Sequence, residues 1–328
     1  MIVASATRAL QDKLESGRFD GPLSRLVSRA YGGIATQYLV RKIEVPHHLR
    51  VIAVGGSTLG GSGKTPVAIA WAREEAKNGG RVALIGHAYR ARPKVARVVS
   101  LHDDVHAVGD EALLCARALG GVAEVIVAPT RQLAVDFAVA RGAAVLVLDG
   151  VAQISPRRAD VALLVTSSEH ANACPPAGDL RSPFPALEAL ANFVVRISDE
   201  HLDLGENEIG MRVTSNGARA ANGDVITYDA LSNMRVGLGL SIAHPERVLR
   251  MLERRGVVPV ACVYVGDHAG SEIRGGMERI SRRDRSLDAW LISEKCASFV
   301  VPTSHDTVPI YVVAHELKLE LELHGSVP

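Results

Sequence analysis

The sequence predicts an α/β protein, with a doubly wound, mainly parallel sheet and a second, smaller α/β lobe. Three observations carry that expectation. Between residues 51 and 197, short apolar runs alternate with stretches of helical period, the pattern of successive β/α units. The first unit, 51–66, reads VIAVGGSTLGGSGKTP and passes from an apolar run through a glycine-rich turn into a helix start. Beyond about residue 200 the strands shorten, and Asn222-Gly223 gives a hairpin signal. The expected division is therefore an N-terminal basic helical segment over 1–50, a main domain over 51–200 and the smaller lobe over 201–328.

Composition narrows the function classes. A chain of 328 residues, 47% apolar, is long enough for two cores, and with 4% aromatics those cores are built from Ala, Val and Leu. Lys+Arg number 37 against 36 Asp+Glu, so the balance of charge argues against nucleic acid as a partner. Cys115, Cys174, Cys262 and Cys296 form no C-x-x-C pair and read as small buried hydrophobes in a reducing compartment. No apolar run is long enough to span a bilayer, and the first ten residues lack a signal-peptide core. The expected location is the cytosol or the cytosolic face of a membrane, with no obligate protein partner evident.

Taken in order, residues 22–42 come first. Leu23, Leu26, Val27, Ala30, Tyr31, Ile34, Ala35, Tyr38 and Leu39 make one apolar stripe at helical spacing, with Arg25, Arg29, Arg41 and Lys42 off it and Pro22 at the start. Such a basic amphipathic helix either lies in a membrane headgroup region or packs its stripe on the core. The strand 51–54 follows, then a helix over 66–78 closed by Gly79-Gly80 and a strand over 81–85. A turn-rich stretch, 86–108, holds Tyr89, Arg90 and Arg92. Helices over 110–119 and 130–141 alternate with strands over 123–128 and 143–148. Further strands are expected at 161–165 and 190–197, with a proline-punctuated loop over 169–184 between them. In the smaller lobe, 210–214 and 224–228 read as a hairpin, 235–240 as a strand, 245–255 as a helix and 257–265 as a strand running into Gly266-Asp267-His268.

The chemistry concentrates in the first unit. Glycines 60, 61 and 63 let consecutive backbone N–H groups turn inward on an anion. Lys64 supplies a point charge for β- and γ-phosphates, Thr65 a hydroxyl for Mg²⁺, and the helix its positive end. Thr58, Leu59, Gly60, Gly61, Ser62, Gly63, Lys64 and Thr65 are thus the candidate nucleotide-binding residues, and the fold is of the P-loop NTPase type. Thr58 stands where the general pattern wants glycine. Asp149 ends an apolar strand, as a Mg²⁺-holding aspartate does, although Asp149-Gly150 is also a plain turn pair. Asp110 and Glu111 open a helix, either as simple N-terminal acids or with Asp110 as base toward an acceptor hydroxyl and Glu111 as a further Mg²⁺ candidate. His268 beside Asp267 is either a turn pair or the group that orients a catalytic carboxylate.

Together these pieces resemble the tetraacyldisaccharide 4′-kinases (lipid A 4′-kinases) over nearly the whole chain. The family's V-G-N-x-T-x-G-G-T/S-G-K-T-P fits residues 54–66 at all but Gly56, Thr58 included. Its V-G-D-E is similar to Val108–Glu111, its A-P-x-R to Ala128–Arg131, and its P-A-G-x-L-R-E-P to Pro176–Pro183. N-P-x-R-F, D-H-H and T-E-K-D resemble 244–248, 267–269 and 293–296. The resemblance implies transfer of the γ-phosphoryl of ATP, with Mg²⁺, to the 4′-hydroxyl of a lipid-linked disaccharide 1-phosphate. It also implies Asp110 as the base paired with His268, and a peripheral place on the inner face of the bacterial inner membrane. The family's S-R-G-Y-G is Gly86–Arg90 here, which loses an arginine that Arg90 or Arg92 would have to replace. Its D-D-G-F-Q-H is 149–154, which loses one acid and the aromatic. Two alternatives stand beside this reading: a non-catalytic ATP-binding homologue, and a phosphate-loop kinase or ATPase for another substrate.

Overall fold

The computed structural model describes residues 2–3, 21–86, 91–166, 173–198, 203–215, 217–220, 222–242, 244–266, 270–300, 306–313 and 316–320. The chain divides into two compact units, one of residues 13–213 with 317–328, the other of residues 1–12 with 214–316.

The larger unit is built on a sheet whose described strands run in the order Glu316–Glu320, Glu208–Thr214, Phe193–Ser198, Val161–Thr166, Arg50–Gly56, Val145–Asp149, Val82–Ile85, Glu124–Val127 and Arg97–Val98. The pairings from Glu208–Thr214 through Glu124–Val127 are parallel, and Arg97–Val98 runs antiparallel to Glu124–Val127. Alternate residues of one strand face opposite sides, and both sides are dry. Ile52, Val54, Val82, Leu84, Val145 and Val147 pack with Val67–Ala72 and Ala112–Leu119 on one face. Val51, Ala53, Ala83, Ile85, Leu146 and Leu148 pack with Ala134, Val135 and Ala138 on the other. That two-sided burial is why the strands read as continuous apolar runs, and it is the doubly wound arrangement the sequence predicts.

Two expectations change here. The helical period of 22–42 breaks: the helix covers Pro22–Thr36, and Val40–Lys42 is a strand paired with Gln153–Ser155. Leu39 is buried, but the stripe on the helix is not core, since Leu23, Leu26 and Ile34 are 75%, 64% and 61% exposed. The helix attaches through its opposite, small-residue face. The Ser28 hydroxyl donates to the Cys174 carbonyl, Thr36 Oγ1 meets Ser182 Oγ at 2.7 Å, and a Cβ on Gly32 would come within 2.9 Å of Pro183. The second change is the strand Glu208–Thr214. It pairs with Phe193–Ser198 and sends Ile209 and Met211 into the larger unit's core, so that unit runs to Val213 instead of ending near 200.

The smaller unit carries parallel strands Ala261–Tyr264, Val236–Leu240, Ala289–Ser293 and Ile310–Val313 in that spatial order, with Ile2–Val3 beside Ala261–Tyr264. The Asn222-Gly223 turn is present, but the strand that meets Val225–Ile226 across it is Ala218–Arg219. Helices Pro245–Arg254 and Ser271–Arg283 supply residues to the two apolar clusters of this unit. Gly237 is required where it stands, because a Cβ there would press to 2.6 Å from the Trp290 ring. The four cysteines are free and buried, as the absence of pairs in the sequence suggests.

Candidate active site

The site begins where Arg50–Gly56 leaves the middle of the larger sheet, with Val54 opposite Asp149 and Gly56 opposite Val165. The turn that follows is left-handed at Gly61 (φ 67) and Gly63 (φ 86) but not at Gly60, so two of the three glycines serve backbone geometry. Gly63 caps the helix Lys64–Lys77, and a Cβ on it would lie 2.5 Å from Ile197 Cδ1. Thr58 earns its place by a different route. Its buried hydroxyl donates to the Gly60 carbonyl at 2.6 Å and closes the turn. Gly56 was not foreseen as a constrained position, yet a Cβ there would sit 2.1 Å from the Ser62 hydroxyl. Ser62 is buried, and Leu59 is half exposed with its N–H donating to the Asp179 carbonyl at 2.9 Å.

Around the helix start the charged groups converge. Thr65 Oγ1 donates to Asp149 Oδ2 at 2.8 Å, and Lys64 Nζ lies 3.7 Å from Glu111 Oε1. Asp149 is fully buried, and its other oxygen, Oδ1, has no hydrogen-bond partner among the described residues. Burial pushes its carboxyl up, the Lys64 charge opposes that, and Glu111 adds to it. An orphaned carboxylate oxygen beside a Thr hydroxyl at a phosphate-loop helix start is the donor set Mg²⁺ takes, since Mg²⁺ commonly uses one or two carboxylates and fills its octahedron with phosphate and water oxygens. The residues present therefore fit Mg²⁺. The described residues contain no cluster of three or more His, Cys, Asp or Glu suited to a metal.

Asp110 is buried and stands at the first position of the helix Asp110–Leu119. Gly109, with φ 93, occupies the cap position, and no side-chain cap bond forms there. Cys115, on the same helix, is buried; burial, with the charges of Asp149 and Glu111, pushes its thiol well up, away from the reactive thiolate. His268 lies outside the described residues, as do Tyr89 and Arg90. Arg92 is exposed. Arg131 is the residue that sequence reasoning missed in this role: its Nη1 donates to the Asp149 carbonyl at 2.8 Å. The signal was present in Ala128-Pro129-Thr130-Arg131, a helix start directly after a strand of the same sheet. The segment after Cys174 also closes on the loop: Arg181 N–H donates to Ser57 O at 2.8 Å, and Leu180 bridges Thr58.

Comparison with known proteins is consistent along the chain. The sequence model of the family described as Tetraacyldisaccharide-1-P 4′-kinase matches residues 21–326. A tetraacyldisaccharide 4′-kinase of Rhizobium leguminosarum is 30% identical over 292 residues, 86% of this chain and 76% of that protein. The Rhizobium etli protein of the same name is 28% identical over 86% of this chain and 78% of its own length, and that of Dichelobacter nodosus is 29% identical over 67% of each. Among solved structures, LpxK from Aquifex aeolicus, crystallised in complex with ATP, superposes with a TM-score of 0.66 over 92% of this chain and 94% of that one. At 19% identity that likeness speaks for the fold.

Proposed function

The chain belongs to the tetraacyldisaccharide-1-P 4′-kinase family, and from that premise we propose how its residues carry out the reaction. It is an ATP-dependent kinase of lipid A biosynthesis that passes the γ-phosphoryl group to the 4′-hydroxyl of tetraacyldisaccharide 1-phosphate. The observation that carries the assignment of roles is the meeting of Lys64 and Thr65, at the start of one helix, with the strand-end Asp149 and with Glu111 at the start of the helix Asp110–Leu119, Thr65 and Asp149 being buried.

Phosphoryl transfer needs positioning and charge stabilisation more than covalent chemistry. In this reading the loop over 58–65 cradles the phosphates, with the left-handed turns at Gly61 and Gly63 shaping it. Lys64 neutralises charge on the β- and γ-phosphates and exchanges its contact with Glu111 for them. Thr65 and Asp149 would hold Mg²⁺, with Glu111 next to them; when bound, the ion screens the phosphate oxygens. Asp110 takes the proton of the acceptor hydroxyl, and His268 orients that carboxylate.

The helix Pro22–Thr36 is the proposed membrane contact, on the cytosolic face of the inner membrane. Each fully buried Leu or Ile contributes about 1.5–3 kcal/mol, so leaving Leu23, Leu26 and Ile34 in water forgoes that gain unless a lipid surface covers them. No described helix is long and apolar enough to cross a membrane, which leaves the helix an in-plane role in this reading. The test combines purified full chain, Mg-ATP and tetraacyldisaccharide 1-phosphate in detergent micelles, with the lipid product followed by mass. A 4′-phosphorylated product is expected. ATP consumption without that product would point to another acceptor, and no consumption would point to a non-catalytic homologue.

A further inference from the structure

A line of hydroxyl contacts joins the amphipathic helix to the phosphate loop, and the roles assigned so far leave it unused. Ser28, Gly32 and Thr36 recur every four residues and so form one line along the helix Pro22–Thr36, opposite its exposed stripe. All three meet the segment Cys174–Pro183. The buried Ser28 hydroxyl donates to the Cys174 carbonyl and accepts the Ala177 N–H at 3.2 Å, so one side chain grips both ends of a turn. A Cβ on Gly32 would lie 2.9 Å from the Pro183 ring and 3.3 Å from Cys174 Sγ, which sets how closely the helix backbone approaches. The Thr36 hydroxyl donates to the Gly32 carbonyl at 2.8 Å. That leaves the fully buried Ser182 hydroxyl to donate to Thr36 Oγ1 at 2.7 Å.

The same segment runs along the phosphate loop. Leu59 N–H donates to the Asp179 carbonyl at 2.9 Å, Leu180 bridges Thr58 antiparallel, and Arg181 N–H donates to the Ser57 carbonyl at 2.8 Å. Residues 57–59, the arm by which the strand Arg50–Gly56 enters the loop, are thus held by the consecutive residues 179–181. Thr58 in turn closes onto Gly60 through its hydroxyl. Bonds therefore run from the helix, through one segment, into the backbone that cradles phosphates in the proposed reaction. A loop already held in its binding geometry spends less of its binding free energy on ordering.

We propose that Ser28 and Thr36 are positioning residues for the nucleotide. By anchoring the segment Cys174–Pro183 to the helix, they set the outer arm of the phosphate loop and with it the affinity for Mg-ATP. The two faces of the helix then have separate readouts, the exposed stripe in lipid binding and the hydroxyl line in nucleotide binding. The inference rests on the phosphate-loop reading of residues 58–65 and is independent of which hydroxyl accepts the phosphoryl group. Linkage makes the effect reciprocal, so nucleotide that favours the braced loop also tightens the docking of the helix, by the same factor.

The experiment measures Mg-ATP affinity by calorimetry, without lipid, on the full chain as wild type, Ser28→Ala, Thr36→Val and Thr36→Ser, after melting curves confirm folding. Ser28→Ala suits the test because the Cys174 carbonyl keeps the Ala177 and Gly178 N–H donors, each at 3.1 Å, so no buried acceptor is orphaned. The turn stays intact while its tie to the helix is cut. Losing one neutral hydrogen bond from the brace should raise Kd for Mg-ATP roughly two- to tenfold in Ser28→Ala and in Thr36→Val. Thr36→Ser keeps the hydroxyl and should restore wild-type affinity. In turnover, KM for ATP should rise by the same factor, with KM for tetraacyldisaccharide 1-phosphate unchanged. Hydrogen exchange gives the reciprocal readout: Mg-ATP should slow amide exchange over 22–36 in wild type, and that slowing should be lost in Ser28→Ala. Lower melting temperatures, with Mg-ATP affinity and its effect on exchange unchanged, would reduce the line to packing and overturn the proposal. Equal losses in Thr36→Val and Thr36→Ser would overturn it too, since the hydroxyl would not be their cause. If Thr36→Val fails to fold, Ser28→Ala carries the test alone. Weaker Mg-ATP binding in the variants, with no lipid phosphorylated even by wild type, would uphold the positioning role while removing the kinase reading.

Discussion

Asp149 holds a fully buried carboxyl with one oxygen on Thr65 and the other without a partner among the described residues, so its protonation state ties stability to function. Burial raises its folded-state pKa above the unfolded value, with Lys64 pulling the other way. The folded chain therefore holds its proton more tightly than the unfolded chain, and the site costs stability as pH rises through the window between the two values. Asp149→Asn removes that cost and keeps an acceptor for Thr65. The variant should melt higher than wild type at neutral pH without ligands, the gap closing as pH falls below the carboxylate range, while Mg²⁺-dependent ATP binding is lost. A gap independent of pH would mean that the buried charge is not its source. Lys64→Ala leaves the fold intact and should lower kcat by roughly 10²–10³-fold, the usual loss on deleting one donor to developing charge; activity within about twofold of wild type would sink the role given to Lys64. At this scale the sequence was readable wherever a motif fixes local backbone, as at Gly61, Gly63 and Thr65. It was silent on Gly56 and Arg131, whose constraints come from Ser62 and Asp149 brought close only by the folded turn and sheet.

The helix Pro22–Thr36 shows what a periodic pattern can and cannot say. Its period identified the stripe, but counting residues could not see that Val40–Lys42 would find a strand partner in Gln153–Ser155, nor which face would be covered. The covered face is polar and small, because Ser28, Gly32 and Thr36 fit against the segment Cys174–Pro183. That asymmetry makes a clean test. Leu26→Glu with Ile34→Glu changes two exposed side chains and should leave the melting temperature within a few degrees of wild type. Recovery with anionic lipid vesicles should fall, and KM for micellar lipid should rise with ATP affinity unchanged. If instead the double variant melts far below wild type, the stripe is packing and the membrane contact is wrong. The phosphate-loop turn gives the opposite case, an element that tolerates nothing. Gly63→Ala must carry a left-handed backbone, worth about 1–3 kcal/mol, and also push Ile197 aside. ATP binding should fail in that variant even where the fold survives, as thermal melting with and without nucleotide will report.

On the scale of the whole molecule, the β/α alternation of the larger unit was legible because its central strands, Arg50–Gly56, Val82–Ile85, Val145–Asp149 and Val161–Thr166, are buried on both faces and carry their own apolar signature. The division between units was read about a dozen residues too early, since Glu208–Thr214 alternates polar and apolar residues and lacks the continuous apolar run of the strands before it. Its parallel partner, Phe193–Ser198, and the burial of Ile209 and Met211 assign it to the larger unit. The same division separates the two residues given the proton-transfer role. Asp110 belongs to the larger unit, and His268 falls in the smaller one, between the strand Ala261–Tyr264 and the helix Ser271–Arg283. An ordinary sugar hydroxyl is a weak nucleophile, and a positioned base contributes roughly 10²–10⁴-fold to its attack. If His268 acts only by orienting Asp110, deleting it matters only while the carboxylate is there. Asp110→Ala and His268→Ala should each lower kcat at least about tenfold, and the double variant should be little worse than Asp110→Ala alone. ATP affinity should persist in all three, because neither side chain is part of the loop over 58–65. Losses that multiply would show two independent contributions, and a wild-type rate in Asp110→Ala would reduce that residue to the first acid of a helix. The double variant is decisive because its rate depends on whether the two residues work as one, whatever the size of each single loss.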